Sequence, residues 1–232
     1  MLLVYPKKRK RYFRYALKQL TRNREIPARR YRIPRELLRD IKKARPVMYA
    51  TKGSESWAKD LMLDFGMNME HLSNDMDANL NRLMKQILVH MGIPINSVTL
   101  HATQSQKKFS EVQQQDVGRY LSAELKIEFT LTINHNVWNI ISTLVHECAH
   151  HFHQIKGIST EITDYEIFTD FTAMFLGFGK ELEKGYAAIQ KTERGRDRVI
   201  WNRVHAGQVG YLEHRDYVYI RWLLFKYRFF MS

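Results

Sequence analysis

The chain has 232 residues, 44% of them hydrophobic, and carries a formal net charge of +13. Length and apolar content suit an enzyme-sized core in one domain with an appended arm, and no apolar run reaches the roughly 18 to 20 residues that a membrane span requires. A lone cysteine, Cys148, excludes an internal disulfide framework, and the lack of a leader pattern in the first residues adds to an expected reducing, cytoplasmic setting.

The excess positive charge is confined to the beginning of the chain. Residues 1–46 hold 17 Lys/Arg against 3 Asp/Glu and the remainder 20 against 21, so a basic N-terminal arm (1–46) and a main domain (47–232) are expected. The densest run is Lys7, Lys8, Arg9, Lys10 and Arg11, with Tyr5, Tyr12, Phe13 and Tyr15 interleaved or close by. Lys and Arg contact phosphates and aromatic rings stack on bases, so the arm is a candidate contact for nucleic acid or another polyanion. An anionic membrane surface and a solvated, partly helical extension are the competing readings. A long arm ahead of a main domain also admits an inhibitory role. Pro27 and Pro34 break the segment, Pro46 ends it, and a short helix is expected over 35–45.

A helix is expected over 55–65 and a longer one over 74–91, whose Met76, Leu80, Leu83, Met84, Ile87, Leu88 and Met91 recur at helical spacing as core filler. After Gly92-Ile93-Pro94 a strand is expected at 97–103. A second strand at 124–133 alternates Leu125, Ile127, Phe129, Leu131 and Ile133 with polar neighbours, the pattern of a half-buried strand.

His146, Glu147, Cys148, Ala149 and His150 spell H-E-x-x-H. The apolar residues Val137, Trp138, Ile140, Ile141, Leu144 and Val145 put this motif on a helix, with Asn134 or Asn136 as the cap and Gly157 as the stop. At about 100° per residue, positions four apart share one face, so His146 and His150 can offer two imidazole nitrogens to one metal ion. Glu147 lies beside them and can take a proton from a water on that ion. Cys148 is rotated by about 200° from His146 and is expected to face the core as a small apolar residue rather than to act as a nucleophile. A buried structural helix with two hydrogen-bonded histidines is the bland alternative.

Catalytic zinc generally keeps three protein ligands and one open position. The metzincin continuation is absent, because His153 and Lys156 stand where that pattern needs Gly and His. The segment 163–177 reads as a second helix, apolar at Ile167, Phe168, Phe171, Met174, Phe175 and Leu176 and stopped by Gly177, with Glu166 and Asp170 on one face. With H-E-x-x-H followed by this E-x-x-x-D helix, residues 118–177 resemble the gluzincin zinc peptidases, with a weaker echo at Gly210-Tyr211-Leu212. The resemblance implies an α+β, zincin-like fold, mainly helical with a small sheet flanking the active-site helix. It implies Zn2+ held by His146, His150 and Glu166, with Asp170 hydrogen-bonded to a ligand histidine. It also implies that the strand ahead of the site helix is the edge on which an extended substrate pairs.

Thr163-x-x-Glu166 fits a capping box equally as a sequence pattern, which would employ Glu166 at the helix start; Glu161 and Asp164 are then the fallback ligands. His153 falls one turn past His150 and is expected to support the site or to face solvent rather than to bind the ion. The polar stretch 191–198 reads as a loop near the cleft, and 213–229 as an aromatic closing helix. His205, Tyr211 and His214 are candidates for stabilising an oxyanion, Tyr211 first. The expected function is therefore a zinc metallopeptidase acting on a peptide or protein, with Glu147 as general base. The alternative is a nucleic-acid-associated protein with a structural zinc site and a basic DNA- or RNA-binding arm.

Overall fold

The computed structural model describes residues 6–22, 31–44, 69–108, 117–133, 137–159, 161–162, 164–192 and 211–231. The architecture is α+β: helices surround a small three-stranded sheet. The helix expected over 55–65, Asn134, Asn136, Thr163 and most of the loop 191–198 lie outside the described residues.

Helix α1 (Lys7–Arg22) buries Phe13, Ala16, Leu17 and Leu20 along one side, the i, i+3, i+4, i+7 spacing of a helix seated on a core. This segment is not a solvated extension. Phe13 stacks on Phe171 with ring centroids 5.7 Å apart, and the Tyr12 hydroxyl donates to the Asp164 carbonyl at 2.9 Å. Helix α2 (Arg35–Ala44) starts directly after Pro34 and packs on helix α3 (Met69–His90), with Leu37 and Ile41 fully buried. Just before α2 the Tyr31 amide donates to the Gly177 carbonyl, so this part of the basic segment is also tied into the body. On α3 and at its end the methionine-rich stripe is core as expected, from Met76 through Leu88 to Met91 just past the last helical residue.

The sheet has the order β1-β3-β2, from β1 (Thr99–Lys108), β2 (Gly118–Leu121) and β3 (Lys126–Ile133). β1 runs parallel to β3, and β2 antiparallel to it. Ile127, Phe129 and Leu131 are buried, as their alternation requires. Leu125 is not part of that row. It sits in the β2–β3 turn at φ 48, 38% exposed, because the chain must reverse there. The position of β3 also differs from expectation: it is the central strand, and the edge that lies against the site helix is the short β2, which has too few residues to show a period.

Helix α4 (Val137–Ile155) carries H-E-x-x-H and is buried around nearly its whole circumference, by β2 and β3 on one side and by helices on the others. Such a helix cannot be amphipathic; of its buried polar side chains Ser142, His146, Glu147, His151 and His153 find partners inside the protein, whereas the Asn139 amide and the Thr143 hydroxyl have none among the described residues. Gly157, at φ 62, lies just beyond its end as expected. Helix α5 (Tyr165–Ala173) follows. It runs into a wide turn over Met174–Phe178, in which Gly177 at φ 97 breaks the axis, and α6 (Gly179–Thr192) continues directly. Gly177 is thus the expected stop, but with a helix rather than a loop behind it. Helix α6 crosses α4 where Gly185 faces Ser142, a contact too close for a Cβ. Helix α7 (His214–Met231) closes the body with Tyr217, Ile220, Leu223 and Leu224 inward.

Candidate metal centre

His146 and His150, one turn apart on α4, meet Glu166 from the first turn of α5. His146 Nε2 stands 2.9 Å and His150 Nε2 3.2 Å from Glu166 Oε2, and the two ring nitrogens are 3.1 Å apart. Among the described residues these three form the cluster able to hold a metal ion. Glu161 and Asp164 do not join it: both are exposed, and Asp164 occupies the left-handed position before α5. Asp164 makes no side-chain cap there, and Glu166 Oε2 is turned to the two histidines.

The outer nitrogens of both rings are committed. Asp170, fully buried, accepts from His146 Nδ1 at 2.8 Å through Oδ1 and from the Tyr211 amide at 2.6 Å through Oδ2. The Thr169 hydroxyl donates to the Tyr165 carbonyl at 3.0 Å, leaving its lone pair for His150 Nδ1 at 3.3 Å. Each Nδ1 therefore carries a proton, and each Nε2 points at Glu166 and at the other ring. With both rings neutral, three acceptor atoms meet there and repel one another unless a proton on one ring or a metal ion lies between them. Tetrahedral coordination by two imidazoles and a carboxylate separates the donor atoms by about 3.3 Å, close to the spacings found here. The residues present fit a divalent metal ion.

Charge shifts follow the same logic. Burial works against the His146 imidazolium, yet the Asp170 carboxylate at Nδ1 and Glu166 at Nε2 outweigh it and hold the ring well above its ordinary value. Burial also works to raise Glu166, but its hydrogen bonds to His146 and His150 prevail and keep it below the usual carboxylate range. The site thus favours positive charge at the place where the three donors meet.

Glu147 behaves differently. Burial pushes its carboxyl up, against the pull of His146 and His150 and with Glu166 adding to the rise, while the Tyr120 amide on β2 donates to it. β2 comes this close because residue 118 is glycine. A Cβ there would collide with Thr143 Cγ2 and stand 3.1 Å from Glu147 Oε1. A second tie joins the strand to α4: His151 lies between Ser97 Oγ, 2.8 Å from Nε2, and the Tyr120 hydroxyl, 2.9 Å from Nδ1, and that hydroxyl also reaches Gln154.

Tyr211 also comes to the site. Its ring lies 5.7 Å from that of His146, and burial with the nearby Glu166 and Asp170 pushes its phenol up to about 12, so it remains a donor at neutral pH. His205 and the side chain of His214 lie outside the described residues. His153 is fully buried rather than solvent-facing, stacked on Phe168 and bonded at both nitrogens, to Tyr165 at 3.2 Å and Thr172 at 2.7 Å. Cys148 is buried, and burial pushes its thiol well up, so it is no nucleophile. In the basic run Lys7, Lys8 and Arg11 face solvent and Lys10 is half-buried, but Arg9 turns inward to Asp216 at 3.6 Å.

Gly118, Tyr120 and Thr169 bear on the site without having been singled out by sequence. Gly118 and Tyr120 act from a strand that adjoins α4 only in the folded chain, and Thr169 is one of many threonines. Comparison with protein-family models, curated proteins and solved structures gives no match to this chain. Among the described residues, no helix is long and apolar enough to cross a membrane.

Proposed function

We propose that the chain is a zinc-dependent peptidase of gluzincin type. The observation that carries this reading is the convergence of His146 Nε2, His150 Nε2 and Glu166 Oε2, with Asp170 behind one ring and Glu147 beside the cluster. Two imidazoles and one carboxylate are a donor set of catalytic zinc, and with three protein ligands one position stays open. The Glu166 side chain is 42% exposed, which leaves the cluster accessible from solvent, whereas a purely structural zinc site is closed by four ligands. A zinc ion held there would polarise a peptide carbonyl and acidify water near neutral pH.

The protein's own groups supply the rest. Glu147, raised by burial but steadied by the Tyr120 amide, exchanges a proton more readily near neutrality than an exposed carboxylate. It takes the proton of the attacking water and passes it to the departing amine. Asp170 fixes the His146 ring through Nδ1, and Thr169 does the same for His150. Tyr211, protonated beside His146, is placed to donate to the oxygen that becomes negative in the transition state. The short edge β2, next to Glu147, is the strand on which an extended peptide would pair.

Metal analysis of the purified protein, with Glu166→Ala alongside, is the first test. About one zinc per chain, lost or weakened in the variant, is expected; no zinc after reconstitution would sink the reading. Glu147→Gln should keep the metal and abolish cleavage of a denatured protein substrate. Bound zinc with no hydrolysis in any peptide library would leave a structural centre instead.

A further inference from the structure

The outward side of α1 has no part in the metal centre. Lys7, Lys8, Arg11, Arg14, Lys18 and Arg22 are exposed along it, and the helix contains no acidic residue. Lys7, Arg11, Arg14, Lys18 and Arg22 succeed one another at steps of three or four, which sets neighbouring cations about 5 to 6 Å apart in one line. Over the helix this line runs for about 22 Å. Among the described residues no carboxylate lies within ion-pair distance of any of these six. Like charges at such spacing repel, at a cost in helix stability that a bound anion would relieve.

The opposite side of α1 settles what kind of anion fits. Phe13, Ala16, Leu17 and Leu20 are committed to the core, so the helix has no apolar face left to sink into a lipid surface, as a membrane-bound amphipathic helix does. Aromatic groups accompany the cations instead. Tyr15, 49% exposed, shares the outward side. On the adjoining helix α7, Tyr219 contacts Phe13 at 6.2 Å and Trp222 at 5.7 Å. Trp222 is 45% exposed and has the Lys226 ammonium 4.3 Å above its ring. A row of cations for phosphates, with an exposed ring on the same side of α1 and another on the helix packed against it, is the combination that grips unpaired strands. We propose that the outward side of α1, with Trp222 on α7, is a binding site for single-stranded nucleic acid, held without sequence preference. It is independent of the metal centre.

The test uses the full chain and a fluorescent oligothymidylate of about 20 nucleotides, with a duplex of equal length and phosphatidylserine vesicles as competitors. The wild type should bind the single strand, with an affinity that falls steeply with salt. Arg11→Gln, Arg14→Gln and Lys18→Gln together should weaken it on the order of tenfold and flatten the salt slope by about 2. Trp222→Ala should weaken it about fivefold or more. Should the triple variant fail to fold, each single variant is read by a slope change of about 0.7. No binding at about 50 mM salt, or variants that bind like the wild type, would overturn the proposal. Preference for the duplex or for vesicles would overturn it too, since charge alone would then be the determinant.

Discussion

Glu147 and Glu166 are carboxylates around the same two histidines, yet their environments drive them apart. Burial dominates at Glu147 and raises it; at Glu166 burial also acts to raise the carboxyl, but the hydrogen bonds and charges of the two histidines together outweigh it and lower it. Opposite shifts in neighbouring acids are how one site keeps a proton acceptor and a permanent anion side by side. The separation depends on β2 standing close to Glu147, and hence on Gly118. On the proposed peptidase reading, Gly118→Ala should move Glu147 and cost activity by up to about 100-fold while leaving zinc binding intact. Thr143→Ser in the same chain removes the Cγ2 that collides and should restore part of the loss; a Gly118→Ala enzyme with full activity would deny that β2 positions the base. His153 offers a separate prediction for stability. Its ordinary pKa of 6.5 is pushed down by burial to about 3, so the unfolded chain binds the extra proton between those values. Stability is therefore retained above pH 6.5 and lost as pH falls toward 3, at about 1.4 kcal/mol per pH unit from this group. Urea titrations across that range should show a shallower slope for His153→Gln than for the wild type.

At the scale of elements, the axis break at Gly177 lets α5 and α6 leave one another and pack on α4 from different directions. A residue at φ 97 favours glycine, and Gly177→Ala should destabilise the fold by about 1 to 2 kcal/mol, measured as a shift of the urea midpoint at constant slope. Gly177 was legible as a stop because helix ends announce themselves locally, and so were the spacing of His146 and His150 and the face shared by Glu166 and Asp170. What was not legible depends on contacts far apart in the chain. β2 is four residues long, and its function lies in what it touches across the β2–β3 hairpin and on α4. Helix α6 has too short an apolar pattern to stand out, and its closest contact is made by a glycine, Gly185. In α1 the buried Phe13, Ala16, Leu17 and Leu20 were present in the sequence at helical spacing, but the surrounding Lys and Arg made the segment read as an arm.

For the molecule as a whole, the candidate metal centre and the N-terminal helix share one support. α5 carries Glu166 and Asp170 on the side toward α4 and Phe171 on the side toward α1, where Phe13 stacks on it. Helix α1 is thus part of the wall behind the ligands, which argues against an inhibitory segment that could be removed to release activity. Phe13→Ala should cost about 3 to 5 kcal/mol of stability, as truncation of a fully buried phenylalanine does. If the site binds zinc as proposed, zinc in excess should recover part of this by mass action, about 2.7 kcal/mol at a hundred times the dissociation constant, because the unfolded chain lacks the assembled site. Thermal unfolding of wild type and Phe13→Ala, each with zinc and with chelator, separates the two contributions. The expected pattern is a midpoint that falls with either change and lowest with both. A Phe13→Ala protein that melts like the wild type, or that cleaves substrate faster, would show that α1 is dispensable to the body and would return the basic segment to the role of a detachable arm.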